Sequence, residues 1–238
     1  MTTRADQRPS EPRQVGRRAV TRGAAWSIPV VSLAVAAPAM AASGCKLTTG
    51  LLSWSVFAEG SNQTGKALAT TGGTGVTVTV SLSGDTGADN NGKIWSSTQT
   101  GGLDKVLRFF DLNNVANTAQ TITLTFSKPV QNVSFSLLDI DSAPGGYYDQ
   151  VIINTAGFTG SKHSNVIGAG AATGNGNNSG PYRPPDDNHA VSGSNSDGNV
   201  DLSWTGPVSS ISFVYRQNGT MNGNPFIGIS DIAFQYCL

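Results

Sequence analysis

Asp139-Ile140-Asp141, with Asp149 following a short Gly145-Gly146 turn, is the grouping in this sequence best suited to chemistry. In an extended strand, residues two apart share a face and their α-carbons lie ~7 Å apart, so two carboxylates at that spacing can converge. Asp139 and Asp141 have the parity of Val133, Phe135 and Leu137, which carries an inner face out to its rim. Asp149 would supply a third carboxylate. Hard oxygen donors converging in a loop-rich place suit Ca²⁺, so a calcium site at Asp139, Asp141 and Asp149 is one expectation. The plainer alternative is that Asp139 caps a turn while Asp141 is solvated. Four aromatics lie in polar stretches, Trp95, Tyr147, Tyr148 and Tyr182. They are candidates for stacking on sugar rings, with peripheral packing as the alternative. No catalytic set is evident. A glycosidase needs two positioned carboxylates, and nothing in the spacing selects a pair. His163 and His189 lie in one long loop region, far from any nucleophile motif. The glycines from Gly168 to Gly174 lack the strand-to-helix setting of a phosphate loop.

The elements that must position these residues are strands. From Leu51 onward apolar residues recur with period two: Leu52, Trp54, Val56; Val76, Val78, Val80, Leu82; Ile122, Leu124, Phe126; Val133, Phe135, Leu137. The pattern returns at Val200, Leu202, Trp204, then at Ile211, Phe213, Tyr215, and at Ile227, Ile229. Trp54 and Trp204 thereby belong to the core. Ile232, Phe234 and Tyr236 have the opposite parity, which predicts a β-bulge around Ser230-Asp231. Further strands are expected around 106–112 and 151–154. One apolar and one Ser/Thr face per strand predicts an all-β fold, an antiparallel two-sheet β-sandwich of jelly-roll type. The segments Leu124–Phe135 and Leu202–Phe213 echo each other as strand, Pro-Val, strand, and are expected to form two equivalent hairpins. Polar stretches at 60–74, 84–102 and 157–198 are expected loops, the last long enough to be functional or mobile.

Residues 1–41 are predicted to be an export leader. Six of the fifteen basic residues fall in the first 23 positions, including the twin arginines Arg17 and Arg18. An uncharged, mildly apolar stretch follows and ends in Ala39-Met40-Ala41, a small-x-small site predicting cleavage between Ala41 and Ala42. An uncleaved N-terminal anchor is the alternative. The remaining domain, residues 42–238, keeps nine basic and thirteen acidic side chains, a net charge of −4. That sparse charge offers no footprint for nucleic acid, nor for an anionic membrane once the leader is gone.

Cys45 and Cys237 are the only cysteines. In an exported chain they are expected to form a disulfide, bringing the two ends of the domain together with Cα atoms within ~7 Å. Lipidation of Cys45 competes, since Ser43-Gly44-Cys45 partly matches a lipobox.

The run from Phe126 to Asp141 with Asp149–Val151, and the run from Pro207 to Tyr215 with Ile227–Phe234, together resemble the jelly-roll domains of unknown function in secreted and wall-attached bacterial surface proteins. The leader is similar to those of actinobacterial exported proteins. The resemblance implies a surface-exposed β-sandwich beside adhesive regions. The expected role is therefore non-catalytic recognition or adhesion at or outside the cell surface, toward a glycan or a surface protein. A secreted glycan-active enzyme using Asp residues as acid and base, and a calcium-dependent carbohydrate-binding module, are the alternatives.

Overall fold

Alternation of apolar with hydroxyl-bearing residues produces twelve antiparallel β-strands among the described residues. The computed structural model describes residues 44–72, 75–111, 117–174, 176–218, 223 and 225–238, so the expected leader, with Arg17, Arg18, Ala41 and Ala42, lies outside them. In chain order the strands are β1 (Leu47–Leu52), β2 (Ala67–Ala69), β3 (Thr77–Gly84), β4 (Lys93–Trp95), β5 (Val106–Phe110), β6 (Ala119–Leu138), β7 (Asp149–Ile153), β8 (Phe158–Lys162), β9 (Val200–Trp204), β10 (Val208–Gln217), β11 (Phe226–Ile229) and β12 (Ile232–Cys237).

The strands form two sheets that share β6. Its first half joins a sheet ordered β2-β3-β6-β10-β7. Its second half pairs with β9 on one edge, with β8 beyond, and with β11 and then β12 on the other. Beyond β11 lie β5 and β4, and beyond β12 lies β1. The inner faces meet through aromatic rings: Phe109 on Phe213 at 6.2 Å, Phe126 on Phe234 at 5.5 Å, Phe135 on Phe213 at 6.3 Å between centroids. Val78, Val80, Leu124, Ile211, Ile229 and Ile232 are fully buried with them, while alternate Thr and Ser residues face outward, as the period predicts.

The expected hairpins are not hairpins. Leu124–Phe135 is one continuous strand, and Leu202–Phe213 crosses from β9 in one sheet to β10 in the other. Each Pro-Val step is a corner where the chain changes sheets, and the two segments run antiparallel beside each other across it. Pro129 lacks a ladder donor, yet it sits where the β6–β10 register slips, between Thr125 and Val130, so no donor is missed. Asn132 completes the bend in a left-handed conformation (φ 50°).

The predicted bulge is present as the two-residue break between β11 and β12. Ser230 and Asp231 let Ile227 and Ile229 and then Ile232, Phe234 and Tyr236 all face inward. The break also anchors the 3₁₀ turn Trp54–Val56. Asp231 Oδ1 accepts from Trp54 N at 2.7 Å, its Oδ2 from Ser53 Oγ at 2.7 Å, and Ser230 O from Trp54 Nε1 at 2.8 Å. Asp231→Ala removes two charge-assisted bonds and should cost about 1–3 kcal/mol, read by denaturant unfolding.

Cys45 and Cys237 are bridged, with Cα atoms 5.4 Å apart, and β1 runs beside β12 as the expected closure requires. No helix among the described residues is long and apolar enough to cross a membrane.

The stretch 157–198 is less open than its composition predicts. It begins with β8, then folds back so that Tyr182 pairs with Val151 and Ile167 with Arg183. Gly168 (φ 95°) is required there, because a Cβ would overlap Pro181 O of the returning chain.

Candidate functional site

The chain leaves β6 at Leu138 because Asp139 takes a left-handed conformation, φ 66°. The strand parity projected through Asp139 and Asp141 therefore does not hold beyond Leu138. Instead the next residues are fastened one by one to the segment ahead of β9. Asp139 N donates to Asn199 Oδ1 (3.3 Å), Asn199 Nδ2 to Gly101 O (2.9 Å) and Ile140 N to Gly198 O (2.9 Å). Ser142 and His189 exchange backbone and hydroxyl bonds.

The three aspartates are gathered, but not onto one centre. Asp149 is fully buried, its Oδ1 accepting from Tyr215 Oη at 2.8 Å and its Oδ2 from Asp141 N at 3.3 Å. Asp141 Oδ2 accepts from Val191 N at 2.8 Å, and the carboxylate also takes the Tyr147 phenol. Asp139 is 6% exposed, and its Oδ1 meets no donor among the described residues. Among those residues no three His, Cys, Asp or Glu side chains are arranged to hold a metal ion. Burial pushes the Asp139 carboxyl up to about 7, with the Asp141 charge adding to it and Arg108 opposing. Burial likewise raises Asp141 to about 6, against its bonds from Val191 and Tyr147. Asp149 is raised well above the ordinary carboxyl range by burial and by Asp141.

Arg108 faces this group from the middle of β5. It is 4% exposed, with its guanidinium between the rings of Trp95 (4.5 Å) and Phe226 (4.0 Å). Nε donates to Thr100 Oγ1 at 2.7 Å, and Nη2 reaches Thr98 Oγ1 and Gln99 O, each at 3.3 Å. Two rings and three acceptors hold the guanidinium in one pose. Burial lowers it to about 10, so it is charged at neutral pH.

Arg108, Asp139, Asp141, Tyr147 and Phe226 line one open cleft of about 540 Å³, together with residues 191–194. A rigid donor and a buried acceptor thus share a wall with aromatic surface. A smaller depression of about 470 Å³ near Asn62, Thr64 and Asp89 has no buried charged side chain in its lining.

Of the aromatic candidates, Tyr147 lines the cleft, and Trp95 reaches it only as the stacking partner of Arg108. Tyr148 lies in a neighbouring depression with Asn218, its hydroxyl donating to Pro184 O and accepting from Arg183. Tyr182 is 2% exposed and belongs to the core, because Gly160 leaves room for its ring, so it offers no stacking surface. His163 and His189 pair with Asp201 and Asp186, outside the cleft lining. Sequence reasoning missed Arg108 and Phe226. The available signal was the single charge inside Val-Leu-Arg-Phe-Phe, since a buried arginine needs partners that the fold must supply.

No family model matches the chain, and no curated protein or solved structure matches it significantly.

Proposed function

We propose that this is an exported, non-catalytic recognition protein that binds a glycan in the Arg108–Asp139 cleft, at or outside the cell surface. One observation carries the reading: a guanidinium immobilised between two rings stands near a buried carboxylate with one oxygen that meets no donor among the described residues. Sugar hydroxyls both donate and accept, so a fixed donor and a fixed acceptor on one wall suit adjacent hydroxyls, while ring faces suit the C–H surface of a sugar. The disulfide supports an oxidising compartment. Binding on a glycan and matrix-protein array should be lost at least tenfold on Arg108→Ala and kept on Asp201→Asn, which lies outside the cleft. Equal binding by both variants would place recognition elsewhere.

A second reading is favoured by one feature. Asp139, raised to about 7, stands near Asp141, raised to about 6, so Asp139 keeps its proton about half the time at neutral pH, and a hydrolytic acid must carry one. Turnover in a polysaccharide screen, abolished by Asp139→Asn, would replace recognition with catalysis.

Export itself is tested at the N-terminus. Secreted protein should begin at Ala42, and changing Arg17 and Arg18 to Lys together should hold the chain inside the cell. Mature protein that retains both arginines would reject the leader.

A further inference from the structure

Resting on the glycan reading above, we propose that the cleft selects glycans bearing a free primary amine. The ammonium sits on the Asp139 carboxylate, and neighbouring ring oxygens sit on the Arg108 guanidinium. Asp139 lines the cleft, is more than nine-tenths buried and keeps an oxygen that no described residue satisfies. Arg108 is close enough to be felt electrostatically, but the two form no ion pair among the described residues, and Nε and Nη2 are committed to Thr100, Thr98 and Gln99. Asp141 lines the same cleft and adds a second acidic side chain against the one guanidinium, so the local balance favours a cation. A neutral hydroxyl could donate one ordinary bond there, whereas an ammonium donates a charge-assisted bond and neutralises the buried carboxylate. A ligand without that donor leaves the carboxylate uncompensated, and such sites discriminate strongly. An N-acetyl group replaces the charge with a bulkier amide and forfeits the contact.

The test is calorimetric titration of the purified protein with three oligosaccharides of equal length: a glucosamine oligomer, its N-acetylated form and a glucose oligomer. The glucosamine oligomer should bind at least tenfold tighter than either of the others, and Asp139→Asn should reduce that preference to less than twofold. Asparagine adopts left-handed backbone readily, so the variant should fold. Should it not, the comparison on the unaltered protein still decides. Equal or tighter binding of the neutral oligomers overturns the amine selection but leaves the glycan reading standing. Absence of binding to all three and to the glycan array removes both. Binding of calcium chloride alone that displaces the glucosamine oligomer would also overturn the proposal, by making the occupant a metal ion.

Discussion

Asp139→Asn should raise the melting temperature at pH 8 by about 5–10 °C and leave it nearly unchanged at pH 4. The native carboxyl ionises near 7, against an ordinary value of 3.8 for the unfolded chain. Between those values the unfolded state gives up a proton that the native state keeps. The contribution of the neutral carboxyl is whole below 3.8, shrinks as pH rises, and is lost above about 7. A shift of that size corresponds to a ceiling of about 4 kcal/mol, and local relaxation should bring the measured gain to about 2–4 kcal/mol. Asp141 and Asp149, also raised, act with the same sign, so the unaltered protein should be more stable at pH 5 than at pH 8. Asp186 works the other way, held below its ordinary value by the Asn188 amide and by His189, but it is fully exposed and weighs little. Scanning calorimetry of both proteins from pH 4 to 8 gives the answer. A lower melting temperature for the variant at pH 8 would mean that the carboxylate has a stabilising partner, contrary to the geometry. A gain would also indicate that an unfavourable side chain is held at the cleft for what it binds.

The second large effect is expected from opening the Cys45–Cys237 bridge. It closes a loop with a sequence separation of 192 residues, the regime in which a cross-link most restricts the unfolded chain. Without it, β1 is held to the body mainly by its ladder with β12, and Leu238 N to Lys46 O is the last backbone bond before the end. Cys45→Ser with Cys237→Ser should cost about 2–5 kcal/mol, roughly 10 °C in melting temperature. Reductant should lower the melting temperature of the unaltered protein to that of the double variant and leave the variant unmoved. Two titratable thiols in native exported protein, or lipid on Cys45, would reject the bridge.

Most of the strand set was legible because burial of one face writes its period directly into the chain, as in Val76–Leu82 and Ile211–Tyr215, but the short strands β2, β4 and β8 lie within the polar stretches expected to be loops. The break at Ser230-Asp231 was legible for the same reason: a parity change between two apolar runs needs an inserted residue. Strands with both faces covered carry no such period, so β5 and β7 were visible only as apolar segments with uncertain ends. The two Pro-Val steps misled because a corner between sheets and a hairpin turn use the same residues. Which one forms depends on the partner strand, a long-range matter. At the cleft, the aspartates and Tyr147 stood out by type and spacing. The guanidinium stack did not, because it joins Trp95 and Arg108 on neighbouring strands to Phe226, more than a hundred residues further along the chain. Tyr182 failed as a surface candidate because its burial depends on a missing Cβ across a sheet edge.

Because β6 serves both sheets, the domain has no seam. Its first half is flanked by β3 and β10, its second by β9, β11 and β12, so neither layer keeps its middle when this strand is withdrawn. Four of those five neighbours come from the last 40 residues of the chain, which leaves the central strand waiting, during synthesis, for partners made roughly 60 to 100 residues later. Until they arrive, an apolar ribbon of 20 residues has open edges that invite pairing with other chains. The architecture thus makes assembly all-or-none: half a molecule is not a smaller folded unit but an aggregation hazard, and the interval before the C-terminal strands dock is when the chain most needs protection.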